Sequence, residues 1–541
     1  MAQRSILGPT GQPLPLGIGR AVAAMAGGSR EIIHDPTSAR AQALGGWHAP
    51  QTSADGAWLW NRDDTVAKVR ELLATEPWAQ GGIDRKVDMI VGASWRPSIK
   101  PDAEALGITE EEAAAAGDAI ERHGWRGWAD DPLCRCDLEE TLNGSWLLHL
   151  MVMEQEVSGD GVGVLRWRED RGWPYRTALQ VIDADRLSNP MQRADRPDLH
   201  GGIEFHPETG APVAYHFRNA HPGDLYTSGS RDAYTWTRVE RREPWGRPKV
   251  LHLFGKHRPG QSRGISKLVA GLARFKQLQR FADSELANAV INALFAATIT
   301  SSFDPAVAQQ HLSDTAVAGY QTLRSDYYSH GAPTMGGARV QHLFPGDTLD
   351  FKTTPRATAA FESFSTVFLR SVASCLGVAY EQIAMDWSKV NYSSARAALV
   401  EVWRGIMRAR SMVAMMVATP LLLAVAEDAL DAGLFELPAH APGLYEAPAA
   451  WLRGRWIGPA RGWVDPVKEP LGAAMQIELG VNNWDDVSAD QGLDFDMNLA
   501  ALKSNRDAWQ ASGMVPPALA TMLMAAAAPP TEDERLTPAG A

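Results

Sequence analysis

The chain has 541 residues, 45% hydrophobic and 21% charged, the balance of a folded globular protein and of neither a disordered nor a fibrous one; its length accommodates about three or four packed units at roughly 100–200 residues each. A formal net charge of -12 repels nucleic acid as a whole, so any DNA contact has to come from a local basic feature or from geometry. The three cysteines, Cys134, Cys136 and Cys375, cannot all pair within one chain, and Cys134-Arg135-Cys136 lacks zinc-knuckle spacing, so free thiols in a reducing compartment are expected and no metal site.

Residues 1–60 are rich in Gly, Pro, Ala and Trp without periodicity and read as an extended arm, in which Pro9, Pro13 and Pro15 interrupt any signal-peptide run. In "RDDTVAKVRELL", Val66, Val69 and Leu73 recur at helical spacing behind Asp63 and Asp64, which favour a helix N-terminus. A second helix is expected over about 137–157, with Leu138, Leu142, Trp146, Leu150 and Met153 on one face. The segments "GVGVLRWRED", "YRTALQVIDADRLS", "GGIEFHPETGAPVAYHFRN" and "PKVLHLFG" then read as strands of a mixed or antiparallel sheet. From Gly264 the texture changes: Ile265, Leu268, Leu272, Phe275 and Leu278 mark a long helix. Shorter pieces with turns fill 300–355, after which Phe361, Phe364, Phe368, Val372 and Cys375 stripe another helix closed by Gly377. A polar and aromatic loop leads to a third long helix capped by Ser393 or Ser394. The longest apolar run, Met412 to Ala426, is broken by Pro420 and is shorter than the ~20 residues that cross a bilayer, so no membrane span is expected. The chain is Pro-rich past Leu434, and 521–541 reads as a disordered tail. The fold class is α+β.

Gly260-Gln261-Ser262-Arg263-Gly264 spells the G-x-S-x-G of a hydrolase nucleophile elbow. An elbow needs a strand running straight into a tight turn and a helix, and here Gly255 to Pro259 intervene after "VLHLF". His311, His330 and His342 offer bases only superficially, so a loop leading into a helix is the plainer reading. Gly159-x-Gly161-x-Gly163 precedes a strand where a dinucleotide fingerprint requires a helix, and reads as a turn. There is no G-x-x-x-x-G-K-[ST] and no H-E-x-x-H, so no nucleotide-driven motor, metal or cofactor is expected. The dense basic run Lys256, Arg258, Arg263, Lys267, Arg274, Lys276 and Arg280 is either a solvated, ion-paired face or a phosphate contact.

Three segments in order, "HRPGQSRGISKL", "CLGVAYEQIAMDWSKVNYSSARAAL" and "GWVDPVKEP", resemble the lambda-type family of tailed-phage portal proteins, with similarity from about Arg62 to Val515. The residues that carry the resemblance are Pro259, Gly260, Gln261, Arg263, Gly264, Tyr380, Glu381, Ser393, Ser394, Arg396, Asp465, Pro466, Lys468 and Glu469.

The resemblance implies a ring of twelve copies at one vertex of a phage head, in the virion, with assembly in the host cytoplasm. It implies a channel for double-stranded DNA, and as further partners the large terminase subunit, major capsid and scaffold proteins, and head-completion or tail-adaptor proteins. By order it maps 61–263 as the wing, 264–300 as a helix that includes the first stem helix, 301–352 as the clip and 353–376 as the second stem helix. The tunnel loop would be 377–392, followed by a helix returning to the wing over 393–464 and a crown-like region over 465–520. In the loop, Asp386, Trp387, Ser388, Lys389, Asn391 and Tyr392 are candidates to face DNA, with Asp386 the counterweight to Lys389; Lys276 and Arg280 are candidate basic residues of stem or channel. No enzymatic activity is implied. The rival readings are a serine hydrolase using Ser262, and a portal of a domesticated prophage or gene transfer particle.

Overall fold

The computed structural model describes residues 51–224, 232–294, 298–301, 314–329, 334–335, 338–339, 347–350, 358–388, 392–463 and 465–512. Expectations for most of the arm, the tail, His311, His330, His342, Lys389 and Asn391 lie outside these residues. The chain divides into two compact units, and of the smaller one residues 51–60 and 258–260 are described. There, helix α1 (Ala54–Trp58) starts at Ser53, whose Oγ accepts from the Gly56 amide, and the Arg258 guanidinium donates to the Thr52 carbonyl.

In the larger unit, α2 (Arg62–Thr75) carries Asp63 and Asp64 in its first turn and buries Val66, Val69 and Leu72. Helix α3 (Pro77–Ile90) places Pro77 in its first turn, where a missing N–H costs nothing. Strand β1 (Arg96–Ile99) follows, then α4 (Glu110–Ala119), opened by a reciprocal Thr109–Glu112 capping box and extended by a π-helical stretch, Ile120–Arg126. The helix expected from 137 starts later, as α5 (Gly144–Ser158). The Asp137 carboxylate accepts from the amides of Glu139, Thr141 and Leu142 and holds that stretch as a turn, and Asn143 caps the helix. The expected face is also displaced: Trp146 and Leu150 are exposed, while Leu147, Leu148, Met151 and Val152 are buried.

Among the described residues the named strands pair antiparallel. β2 (Gly161–Trp167) lies between β3 (Thr177–Ile182) and β8 (Val250–Leu253). A four-stranded sheet runs in the order β4 (Leu199–His200), β5 (Ile203–Phe205), β6 (Pro212–Arg218) and β7 (Trp236–Glu240). Val162, Val164, Ile182, Ile203, Phe217 and Val250 form the core shared by these two sheets.

The helix expected from Gly264 begins as a 3-10 turn, Lys267–Gly271, and continues as α6 (Leu272–Leu294). Its start is set by Ser266, whose Oγ accepts from the Leu268 amide and donates to the Glu156 carbonyl. An insert follows, in which β9 (Thr298–Ser301) pairs with β12 (Asp347–Asp350) around helix α7 (Asp314–Ser329) and a hairpin of β10 (Thr334–Met335) and β11 (Ala338–Arg339). Helix α8 (Thr358–Leu376) ends at Gly377 in the left-handed region, φ 74°. Its buried residues are Ser365, Phe368, Leu369, Val372, Ala373 and Leu376, so the buried stripe sits beside the expected one, and Phe364 is 38% exposed.

The expected loop contains a helix, α9 (Tyr380–Ala384), and α10 (Tyr392–Val413) starts at Tyr392. Ser393 and Ser394 therefore stand inside the first turn and are not its cap. Pro420 does not break the helix that follows. A π-helical turn, Ala414–Ala418, precedes it, and Pro420 takes a first-turn position of α11 (Thr419–Asp431). The resulting run, Arg396–Asp431, is long and apolar enough to cross a membrane, and 56% of its most apolar window is buried within the protein. Val417, Leu421, Leu422 and Val425 join the main core with Ile83, Leu148, Phe275 and Val372. Strand β13 (Gly454–Ile457) pairs with β1, and α12 (Lys468–Glu478), α13 (Trp484–Asp490) and α14 (Phe495–Ser512) complete the described chain.

Candidate functional site

The GQSRG stretch lies in the loop between β8 and the 3-10 turn before α6, and the side chains of Gln261 and Arg263 are turned inward. Gln261 ties the loop to itself: Oε1 accepts from the His257 amide at 2.8 Å and Nε2 donates to the Arg263 carbonyl at 2.7 Å. Arg263 is 2% exposed. Its Nε donates to Asp160 Oδ2 at 2.8 Å, and its terminal nitrogens donate to the carbonyls of Leu187, Gly201 and Ala184. The reading of this residue as a phosphate contact is thereby corrected, because the guanidinium is consumed inside the protein.

Asp160 is fully buried and is the hub. Oδ2 also accepts from Arg62 at 3.0 Å, while Oδ1 receives the Gly264 amide at 2.6 Å and lies 2.9 Å from His252 Nε2. Burial opposes its charge, but the guanidinium of Arg263 and then that of Arg62 more than offset this and hold its pKa well below the ordinary value. Two motif glycines meet back to back beside it. A Cβ on Gly264 would stand 1.8 Å from the Gly159 carbonyl oxygen, and Gly159 itself has φ 91° as the residue that ends α5. Gly264 is required by this close approach and not by a helix start, and the Gly159-x-Gly161-x-Gly163 pattern is a helix end running into a strand.

Ser262 is also buried and lines a cavity with His252. It is not a nucleophile elbow, since no strand leads straight into it and no α-helix leaves it. His252 Nδ1 makes no hydrogen bond, so the base-to-serine link that activates a nucleophile is not made by His252. The hydrolase reading is not favoured.

In the second segment, Tyr380 sits under the Arg370 guanidinium at 5.5 Å, and Glu381 lies in the first turn of α9. Met385 closes α9 at φ 53°, and Asp386 Oδ1 then accepts from both the amide and the hydroxyl of Ser388, at 3.0 and 2.6 Å. Trp387 is 44% exposed. The third segment opens α12. Asp465 Oδ1 accepts from the Val467 and Lys468 amides, and these bonds lower its pKa. Pro466 stands within this turn. Glu469, its side chain 7% exposed, lies 3.6 Å from Arg396 and 3.7 Å from Arg461, so the second and third segments meet through one carboxylate. Lys276 pairs loosely with Glu71 at 3.8 Å, and the Arg280 carbonyl accepts from Ser284.

Sequence reasoning missed Arg62, Asp160 and His252. The available signal was Asp160 itself, a lone carboxylate between glycines in "SGDGVG" on the way into an apolar strand.

The profile described as "Phage portal protein, lambda family" matches residues 40–410. The portal protein of Escherichia phage N15 is 30% identical over 500 residues, spanning 91% of this chain and 93% of that protein. Portal protein B of Escherichia phage lambda is 29% identical over 486 residues, spanning 88% and 90%. Among solved structures, a chain in the virion of a native gene transfer agent particle is similar at 15% identity with a TM-score of 0.43, covering 88% of this chain and 99% of that one. By the profile match and by identity along nearly its whole length, the chain belongs to the lambda family of phage portal proteins.

Proposed function

We propose that copies of this chain close into a ring, twelve by the family's habit, at one vertex of a phage head. Double-stranded DNA passes through its channel on packaging and again on ejection. The terminase large subunit docks at the insert over 298–350, capsid and scaffold proteins meet the sheet-bearing region, and head-completion or tail-adaptor proteins follow after packaging. The protein acts as a conduit and performs no chemistry.

The observation that carries this reading is the pair α6 and α8. They pack side by side, Phe281 against Phe364 at 4.3 Å between ring centroids, and between them in sequence lies an insert closed at its base by the β9–β12 ladder. At ~1.5 Å per residue these helices are long enough to line part of a channel. Leu286 and Val367 remain 67% and 64% exposed, apolar surface that suits a neighbouring copy. Tunnel-loop roles for Asp386, Trp387 and Ser388 belong to the same proposal.

Negative-stain electron microscopy of the full chain with two-dimensional averaging tests it. Rings with a central hole wide enough for a duplex are expected. Small globular particles that persist with scaffold and capsid proteins present would overturn it. Ser262→Ala is expected to leave packaging intact, and loss of packaging with normal rings would return Ser262 to consideration.

A further inference from the structure

Beside the edge strand β8 the protein holds a cavity of about 390 Å³ whose features call for a ligand and are not explained by the conduit. Its walls are apolar and aromatic: Phe205, Tyr215, Phe254, Met416 and Pro420. Arg241, Arg242 and Lys256 also line it. Neither arginine forms an ion pair among the described residues, and the nearby carboxylates are engaged elsewhere, Glu240 with Arg238 and Glu243 with Lys249. Lys256 lies over the Phe254 ring at 5.7 Å. Burial and the neighbouring Arg241 charge both disfavour the Arg242 cation, so positive charge gathers here without an internal counterion.

The cavity's other polar lining residues are Tyr215, Gln261, Ser262 and His252, of which Gln261 is used within its own loop. Asp160 is ionised and only accepts, so His252 Nε2 carries the hydrogen of that bond. Burial lowers the His252 pKa, Asp160 opposing, and the ring is neutral at pH 7. Nδ1 is then an acceptor, and it is buried with no hydrogen-bond partner. The cavity therefore asks for two things together: several carboxylates for Arg241, Arg242 and Lys256, and an apolar group for the walls. A phosphate offers charge without the apolar group, and a fatty acid offers one carboxylate for three cations. An acidic peptide with an apolar side chain offers both.

We propose that this cavity binds an acidic peptide segment of a partner protein, one apolar side chain seated between Tyr215, Phe254 and Met416, and flanking carboxylates on Arg241, Arg242 and Lys256. The inference does not depend on the ring.

The test is fluorescence anisotropy on the full chain with a labelled Glu-Glu-Phe-Glu-Glu peptide. Saturable binding is expected, weakened at least tenfold when the glutamates become glutamines, when the phenylalanine becomes alanine, and in an Arg241→Ala/Arg242→Ala variant. That variant is expected to keep its melting temperature, because these side chains form no internal ion pair. Absence of saturable binding, or equal affinity for the glutamine peptide, overturns the proposal. Competition by an oligothymidylate as effective as that of unlabelled peptide would make this a general anion surface, and loss of peptide binding as the protein self-associates would make a second copy the occupant. Either result also overturns it.

Discussion

Arg263 cannot be replaced by lysine, because its planar fork reaches Asp160 and three carbonyl oxygens in different directions at once. An ammonium would leave most of these acceptors buried and unpaired. Arg263→Lys and Asp160→Asn are each expected to destabilise the folded chain by about 3–5 kcal/mol, the usual result of removing one partner from a buried pair. The measurement is the shift of the thermal or denaturant midpoint, and a change under ~1 kcal/mol would be that of an exposed pair. The sign of the pH dependence follows from the depressed Asp160 pKa. Its contribution is fully present above the ordinary carboxylate value near 4 and is lost as pH falls below it; Asp160→Asn should lose that part of the acid sensitivity. From sequence, the motif was visible but its partner was not. Arg263 and Asp160 are 103 positions apart, and periodicity carries no information about which distant carboxylate a buried arginine will meet.

The C-terminal helices are attached differently from the others. α12, α13 and α14 contain no buried residue, and none of their side chains belongs to the main core. Ion pairs hold them, with a backbone hydrogen bond from the Arg461 amide to the Asp490 carbonyl. Lys100 beside β1 pairs with Asp485 and Asp496 at 2.8 and 3.2 Å, Arg455 of β13 pairs with Asp486, and Glu469 receives Arg396 and Arg461. The exposed pairs of Lys100 and Arg455 are each worth ~0.2–1 kcal/mol and are screened at high salt, whereas the Glu469 carboxylate is largely shielded from solvent. Hydrogen exchange on the full chain should therefore show 468–512 losing protection at ~1 M salt, and in Lys100→Met/Arg455→Met at low salt, while α3, α5 and α11 keep theirs. Uniform protection would mean that other contacts hold these helices. Glu121 faces the same junction. Burial, opposed by the Ile99 amide and assisted by Asp494, raises its pKa to about 7. A raised carboxyl pKa favours the folded state at low pH, and this contribution is lost as pH rises through 7; Glu121→Gln should flatten that part of the stability profile.

Element identity was legible wherever the apolar pattern was one-sided, as in α2 and α8. For α5 the helix was legible but its start and buried face were not, because its sequence "GSWLLHLMVMEQEVS" is apolar around most of its circumference. There the buried arc is chosen by partners such as Lys86, which meets Glu156 at 2.5 Å. Pro420 misled for a related reason, since only the π-helical turn ahead of it makes its position harmless.

At the scale of the whole molecule, family membership rested on the order of three segments, and the structure gives two of them a common physical link in Arg396 and Glu469. The division into wing, stem, clip and crown had no comparable signal in composition or periodicity, because it describes positions in an assembly and not in one chain. Net charge does bear on assembly. A chain at -12 adds repulsion with every copy, while a duplex carries one negative charge per ~1.7 Å of its axis. The basic run at the start of α6 does not reverse this: Arg263 is buried against Asp160 and Lys276 lies beside Glu71. A conduit benefits, because phosphates held strongly at the wall would stall a duplex that has to slide both ways. Assembled full-length protein is therefore expected to bind a labelled duplex more weakly than the ~10⁻⁴ M typical at the loose end of non-specific binding at physiological salt. Lys276→Ala with Arg280→Ala should change nothing. Micromolar, salt-sensitive retention of the duplex, abolished in that double variant, would instead make these two residues a positive ring in the channel and turn the passive wall into one that grips.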